Sequence, residues 1–427
     1  MDLPVKIRRS VIFAVTFGNL LEWYEIYLYV YWSPIIAKLF FAPHAGESGL
    51  IFTFLIFGLA LLARPIGGFF FGRLGDRIGR KKAFILSLLM MTVPTVITGL
   101  LPTREQVGIL APIFLTCTRF LQAFPAGGEL PGAFCFLYES AQPQHRRYFC
   151  SWAFVGVLSG LLISTIECFF LELFLSEQDV ITWGWRLSFL IGGLLGLCGL
   201  ILRSRLHETP LYQEMAKHST ITKEPFSQVL RDNKKQLFLG ALFWVFNSSS
   251  TFFITVNAAE YLKTALATSS YIATLIISSS IIILLAAPLP IFGFLADTIN
   301  NKKMLIWTMI SSILLLGPLS YFAAHLSIFP LAIAMAIFIL LAACNSALLP
   351  YITSELFPTR TRYTCIGICF NTVDSVVGGF TPFLVLYLTR ITKYEGAFSF
   401  VILFFGLISL LSYFWMKEKH PTNTRIH

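Results

Sequence analysis

Twelve apolar runs dominate this chain, and they leave it few ways to fold. They cover roughly residues 10–41, 50–71, 83–103, 107–139, 149–176, 184–202, 236–262, 269–294, 304–324, 328–356, 363–391 and 396–416. Most reach the ~20 residues an α-helix needs to cross a hydrocarbon core. Several are longer, so tilted or broken helices are expected. Only 13% of the 427 residues are charged while 56% are apolar, against roughly 25% charged in a soluble domain. The composition therefore reads as an all-α membrane protein of twelve transmembrane helices.

The net charge of +10 would suit a nucleic-acid partner, but the placement of the basic residues argues otherwise. Twenty-four of the 32 Lys and Arg fall on one side of the predicted spans, among them Arg8, Arg9, the cluster 73–82, Arg146, Arg147, Arg203 and Arg360. Five fall on the other side: Lys38, Arg104, Lys263, Arg390 and Lys393. Arg64, Arg119 and Arg186 lie in or at the edge of spans. Such a bias places the basic side, with both termini, in the cytoplasm. The eight cysteines all lie in spans or at their cytoplasmic ends, so no disulfide framework is expected. No metal-ligand spacing, phosphate loop or nucleophile elbow is visible, which argues against an enzyme and against a metal or cofactor. The basic residues before span 1 resemble a signal peptide, but the run is too long and carries Glu22 and Glu25, so it reads as an uncleaved helix.

The loop Gly72-Arg73-Leu74-Gly75-Asp76-Arg77-Ile78-Gly79-Arg80-Lys81-Lys82 recurs as Gly293-Phe294-Leu295-Ala296-Asp297-Thr298-Ile299-Asn300-Asn301-Lys302-Lys303, with six of eleven positions identical at an offset of 221 residues. A second echo relates Glu139…Pro143…Arg146-Arg147 to Glu355…Pro358…Arg360…Arg362. The polar stretch 203–235, with Pro210 and Pro225, divides the spans six and six. The expected organisation is an N-terminal bundle (1–202), a cytoplasmic linker (203–235), a C-terminal bundle (236–416) and a short tail (417–427). Such parallel repeats are related by an axis along the membrane normal, with a cavity between them near the midplane.

Several stretches carry a family resemblance: Gly18-Asn19-Leu20-Leu21-Glu22-Trp23-Tyr24-Glu25, Arg64-Pro65-Ile66-Gly67-Gly68, the loop 72–82, Arg119-Phe120-Leu121-Gln122, Gly127-Gly128-Glu129, Trp183-Gly184-Trp185-Arg186, Glu208-Thr209-Pro210 and Glu355-Leu356-Phe357-Pro358-Thr359-Arg360. In this order they resemble the major facilitator superfamily, and within it the metabolite:proton symporters that include proline/betaine, citrate, α-ketoglutarate and shikimate permeases. The resemblance implies two pseudo-symmetric six-helix bundles and transport by alternating access. The chain departs from that group at Glu25, where the group usually has Asp, and at Asp374, where it is usually apolar. Ala123 and Pro125 flank the Gly-Gly-Glu motif in place of small residues, and no long coiled-coil tail is expected beyond span 12. The last two departures count against an osmoprotectant substrate.

Charges inside a span cost ~2.5–3.5 kcal/mol each on insertion scales, so those retained are expected to face a cavity or a partner. Glu22 and Glu25 lie three apart on one helical face. Crowded carboxylates in low dielectric cannot both ionise easily, the property a proton carrier needs; either can instead be a structural partner of a cation. Glu129 is a further candidate, as a relay or as a packing anchor beside Gly127-Gly128. Arg119 is expected to hold a substrate carboxylate through its planar fork, or to pair with Glu25 or Glu22. Arg64 is a second anion candidate, whereas Arg186 reads as an interfacial anchor beside Trp183 and Trp185. Tyr24 joins the candidate substrate contacts. Asn247, Thr251 and Thr255 form a polar stripe that faces either substrate or neighbouring helices, and Asn371 and Asp374 form a second polar spot. The gate on the cytoplasmic side is assigned to Gly72, Asp76, Arg77, Gly79, Arg80, Glu139 and Asp297.

The function expected is proton-coupled uptake of a small carboxylate-bearing or zwitterionic solute across a bacterial inner membrane. Partners are that solute, protons and lipid, with no nucleic acid and no obligate protein partner. Export of a metabolite, drug or siderophore on the same fold stays open, as does a sensor that does not transport.

Overall fold

A computed structural model describes residues 5–41, 52–53, 56, 60, 62–221, 226–267, 271–299, 301–325 and 327–417. Its long helical segments are α1 (Val5–Tyr31), α2 (Ala63–Ile78), α3 (Arg80–Leu100), α4 (Leu110–Ser140), α5 (Arg146–Phe174) and α6 (Trp185–Ser204). The second half continues with α7 (Phe226–Phe252, extended by a π-helical turn at Phe253–Asn257) and α8 (Tyr271–Ala286, resuming as Leu289–Thr298). Then come α9 (Asn301–Ala324), α10 (Ile328–Leu356), α11 (Arg362–Val373, a π-helical turn at Asp374–Gly378, then Gly379–Thr392) and α12 (Phe398–Lys417). The described residues are all-helical, with no strand.

Nine of the helices among the described residues are long and apolar enough to cross a membrane. The other three, α1, α2 and α4, are the ones that carry Glu22, Glu25, Arg64, Asp76, Arg119 and Glu129. Part of the predicted second span (50–51, 54–55, 57–59 and 61), linker residues 222–225 and the tail beyond Lys417 lie outside the described residues. α7 starts at Phe226, earlier than the apolar run at 236 predicts. Residues 226–235 contain neither Gly nor Pro, and Val229 and Asn233 are buried, so a polar helical extension packs where hydropathy sees only a linker.

Prolines lie inside α3, α4, α9, α10 and α11; the carbonyl of Gly127, four residues before Pro131, is satisfied from a neighbouring helix by Asn371 at 2.6 Å, as membrane helices with internal prolines require. The two halves meet through α2 with α11 and, equivalently, α8 with α5, and also through α5 with α10 and α4 with α11. The first is glycine-lined: a Cβ on Gly68 would lie 2.7 Å from Gly367 O, and one on Gly367 2.5 Å from Gly68 O. Backbones this close need small residues.

Candidate functional site

α1 to α4 enclose a cavity of about 40 Å³, measured as space for the centres of water molecules and lined by Glu22, Glu25, Arg64, Arg119 and Gln122 among others. The i, i+3 spacing of Glu22 and Glu25, and of Arg119 and Gln122, brings each pair to this face. Arg64 Nη2 donates to Glu22 Oε1 at 2.5 Å. Glu25 is held differently: Gln122 Nε2 donates to its Oε2 at 3.0 Å and to Thr95 Oγ1 at 2.5 Å. Arg119 donates to Thr98 Oγ1 at 3.0 Å and lies over the rings of Tyr29 (4.7 Å) and Phe189 (5.4 Å). Glu22 Oε2, Arg64 Nε, Arg119 Nε and Gln122 Oε1 are buried without a hydrogen-bond partner among the described residues. Native structures leave few such groups unpaired, so four around one cavity mark a place completed by water or by a ligand.

A second cavity, about 30 Å³ on the same measure, lies between α1, α5, α7 and α11, with Trp23, Tyr27, Trp244, Ser248, Thr251 and Asp374 in its wall. Arg64 links the two cavities. Its Nη1 lies 3.8 Å from Asp374 Oδ2, while Ser248 Oγ donates to Asp374 Oδ1 at 3.1 Å. Asn247, Thr251 and Thr255 of the predicted polar stripe all line this second space, and Asn247 Oδ1 also accepts from Ser346 at 2.8 Å.

Three candidates sit elsewhere. Tyr24 is fully buried and turned away from both cavities, its hydroxyl donating to Glu167 and lying 3.1 Å from Ser188 O. Glu129 is not on the Glu22/Glu25 cavity either. It forms a two-pronged ion pair with Arg203, both groups fully buried, and accepts from Ser87 Oγ at 2.9 Å. Arg203 is thus a buried helical partner, because α6 runs on to Ser204. Gly18 makes the space, since a Cβ there would lie 1.6 Å from Arg203 Nη2. Asn371 is an interhelical peg, donating to Gly127 O at 2.6 Å and Gly367 O at 2.7 Å. Arg186 donates to the carbonyls of Gly99 (3.0 Å) and Leu101 (2.7 Å). Sequence reasoning missed Glu167 and Arg203 as partners. An acid inside span 5 was a signal for the first; the second fell one residue past a span boundary.

The repeated loops form two latches across the halves. Asp76 accepts from Tyr363 N (3.2 Å), Thr364 N (2.9 Å) and Thr364 Oγ1 (2.6 Å), at the start of α11. Asp297 accepts from Arg147 N (3.1 Å) and Tyr148 N (3.0 Å), at the start of α5. A carboxylate on the free N–H groups of a helix start is favourable electrostatically. Around Asp76, Arg80 pairs at 3.2 Å and also binds Glu139 at 3.1 Å and Thr359 O at 2.5 Å. Arg362 Nη1 and Thr209 Oγ1 add donors to Glu139 at 2.8 and 2.7 Å. Gly79, at φ +113°, turns the chain between α2 and α3; a Cβ there would lie 2.3 Å from Glu208 Oε2. Glu208 caps Lys81 N at 3.1 Å, and burial pushes its carboxyl above the usual range. A Cβ on Gly72 would lie 2.6 Å from Thr364 Cα, and the carbonyl of Arg77 accepts from Tyr212 at 2.8 Å.

The sequence profile described as "Sugar (and other) transporter" matches residues 11–236, and that of the major facilitator superfamily matches residues 237–427. A putative proline/betaine transporter of Staphylococcus aureus (strain COL) is 31% identical over 395 residues, 91% of this chain and 84% of that protein. The chain belongs to the major facilitator superfamily. It is accordingly a multi-pass membrane transporter and not an enzyme. A proline/betaine transporter of Salmonella typhimurium (strain LT2) is 27% identical over 423 residues, 96% of this chain and 83% of that protein. The same facilitator fold recurs in the proton:xylose symporter XylE bound to 6-bromo-6-deoxy-D-glucose, with a TM-score of 0.77 at 16% identity over 97% of this chain and 96% of that one.

Proposed function

We propose that this facilitator is a proton-coupled symporter, taking up a small carboxylate-bearing or zwitterionic organic solute by alternating access. It does so as twelve membrane-spanning helices in two bundles, with both termini in the cytoplasm of a bacterium, its inner membrane around them and no obligate protein partner.

The observation that carries the reading is the contrast between Glu25 and Arg119 in one cavity. Glu25 accepts from the neutral amide of Gln122 and forms no salt bridge among the described residues. Arg119 has hydroxyl and ring neighbours and, among the described residues, no carboxylate in hydrogen-bond reach, a buried fork suited to an incoming anion. A proton on Glu25 and a carboxylate on Arg119 would enter together, each lowering the cost of burying the other. Relatives described as proline/betaine transporters favour a zwitterion, against the expectation drawn from the departures around the Gly-Gly-Glu motif and the tail.

The test is uptake of a labelled solute panel into vesicles against an imposed pH gradient, with Glu25→Gln alongside. Gradient-driven accumulation should vanish in the variant while solute exchange at equal pH persists. Accumulation that survives undiminished removes the coupling role of Glu25.

A further inference from the structure

We propose that the aromatic cavity around Asp374 is a subsite for an ammonium group of the transported solute, with Asp374 as its counter-ion. This rests on the reading of the chain as a carrier of carboxylate-bearing or zwitterionic solutes, and it assigns the positive end.

Six of the fourteen residues in the cavity wall are aromatic: Trp23, Tyr27, Phe154, Trp244, Phe252 and Phe370. Trp244 and Phe370 pack with centroids 5.1 Å apart at 69°, Phe154 and Trp244 at 6.3 Å and 40°, and Trp23 and Tyr27 at 6.2 Å and 31°. Trp244 donates its Nε1 to Thr353 Oγ1 at 2.9 Å and stacks on Phe134 at 5.8 Å and 11°, which fixes the ring in the cavity wall. Rings facing one space from several planes attract a cation through their quadrupoles, most strongly when it is desolvated. A cation is already close by: the Arg64 guanidinium carbon lies 5.5 Å from the Trp23 ring centre.

The charges point the same way. Glu22, Glu25 and Asp374 face the two cavities, against Arg64 and Arg119. Arg64 is committed to Glu22 at 2.5 Å and reaches Asp374 only at 3.8 Å. Among the described residues, neither Glu25, held by Gln122, nor Asp374 has a cation at hydrogen-bond distance, and of the two only Asp374 lines the aromatic cavity. A permanent structural pair would close to hydrogen-bond distance. Thr251 Oγ1, in the same wall, is buried with no hydrogen-bond partner among the described residues. Asp374 also opens a π-helical turn, a local change of pitch often found at functional sites.

The solute this arrangement reads is short. Arg64 Nη1 lies 3.8 Å from Asp374, so a carboxylate held on the Arg64 side and an ammonium on Asp374 need only a small separation, as in an α-amino or betaine-type zwitterion. On binding, the ammonium takes the place of Arg64 Nη1 at Asp374, while Arg64 Nη2 stays on Glu22. Trp23, Tyr27 and Phe154 belong to the first half of the chain, and Trp244, Phe370 and Asp374 to the second. The cage is therefore complete only when the halves meet around the solute, and the present 30 Å³ must widen to admit it.

The experiment uses isosteric pairs on the full-length purified protein. Glycine betaine is compared with 3,3-dimethylbutanoate, and proline with cyclopentanecarboxylate, by ligand-induced thermal shift and by vesicle uptake. The wild type should prefer the ammonium member of at least one pair by about tenfold or more. Asp374→Asn should abolish that preference, and Asp374→Glu should restore part of it. Equal treatment of both members in every pair by the wild type, or a preference untouched in Asp374→Asn, overturns the subsite. Proton-driven uptake of the carboxylates alone would do so while leaving the symport reading intact.

Discussion

Asp76 and Asp297 occupy the same place in the repeated loop, and each binds the first free amides of a helix in the opposite half. The surroundings differ. Asp76 gains the Thr364 hydroxyl and Arg80, and through Arg80 joins a buried network with Glu139, Arg362 and Thr209. Among the described residues, Asp297 has only the Arg147 side chain, at 3.5 Å and 21% exposed. Duplication kept the backbone geometry of the latch in both copies, while side-chain reinforcement survives in one. Where the first loop has Arg73 and Arg77, the second has Phe294 and Thr298. The second echo is worn too: Glu355, the counterpart of buried Glu139, is exposed.

Four substitutions sharpen or break this comparison. The largest effect is expected from Glu139→Gln, which leaves Arg80 and Arg362 buried without their shared anion. Breaking such a network costs roughly 3–5 kcal/mol, read as a large drop in Tm and yield of the purified protein. An unchanged Tm would make the network dispensable. Next, Asp76→Asn should weaken the closed state by about 1.5–3 kcal/mol for each charged hydrogen bond lost, and Asp297→Asn by less in total. Cysteine-labelling rates at the latch end, measured in both variants, report the opening. Equal rates, or the reverse order, would end the case for unequal latches. The smallest change is Thr364→Val, which removes one hydroxyl and should shift the same labelling rate by about 0.5–1.5 kcal/mol. An effect as large as that of Asp76→Asn would move the weight from the backbone amides to the hydroxyl.

Much of the candidate site was legible in the sequence, because a charge inside an apolar run stands out. Glu22, Glu25, Arg64, Arg119 and Asp374 were all visible that way, and all line or bridge the two cavities. Their partners were not visible. Tyr24 sits one residue from Glu25, and on a helix that turns it by about 100°, toward Glu167 and away from the cavity. Asn371 and Asp374 are close to one turn apart, yet Asn371 pegs the close approach of α2, α4 and α11 while Asp374 meets Arg64 and Ser248.

By itself the sequence determined that the chain is helical and membrane-embedded, where its long apolar helices lie, and that its two halves share a latch motif. Those follow from run length, residue type and repeat spacing, all local or periodic along the chain. The tertiary structure decided that Glu129 belongs to Arg203, that Glu25 is left with a neutral partner, that Arg64 is shared between Glu22 and Asp374, and that aromatic rings from both halves surround Asp374. Helical spacing says which residues share a face. Which neighbouring helix that face meets, and at what depth, is set only when distant helices pack.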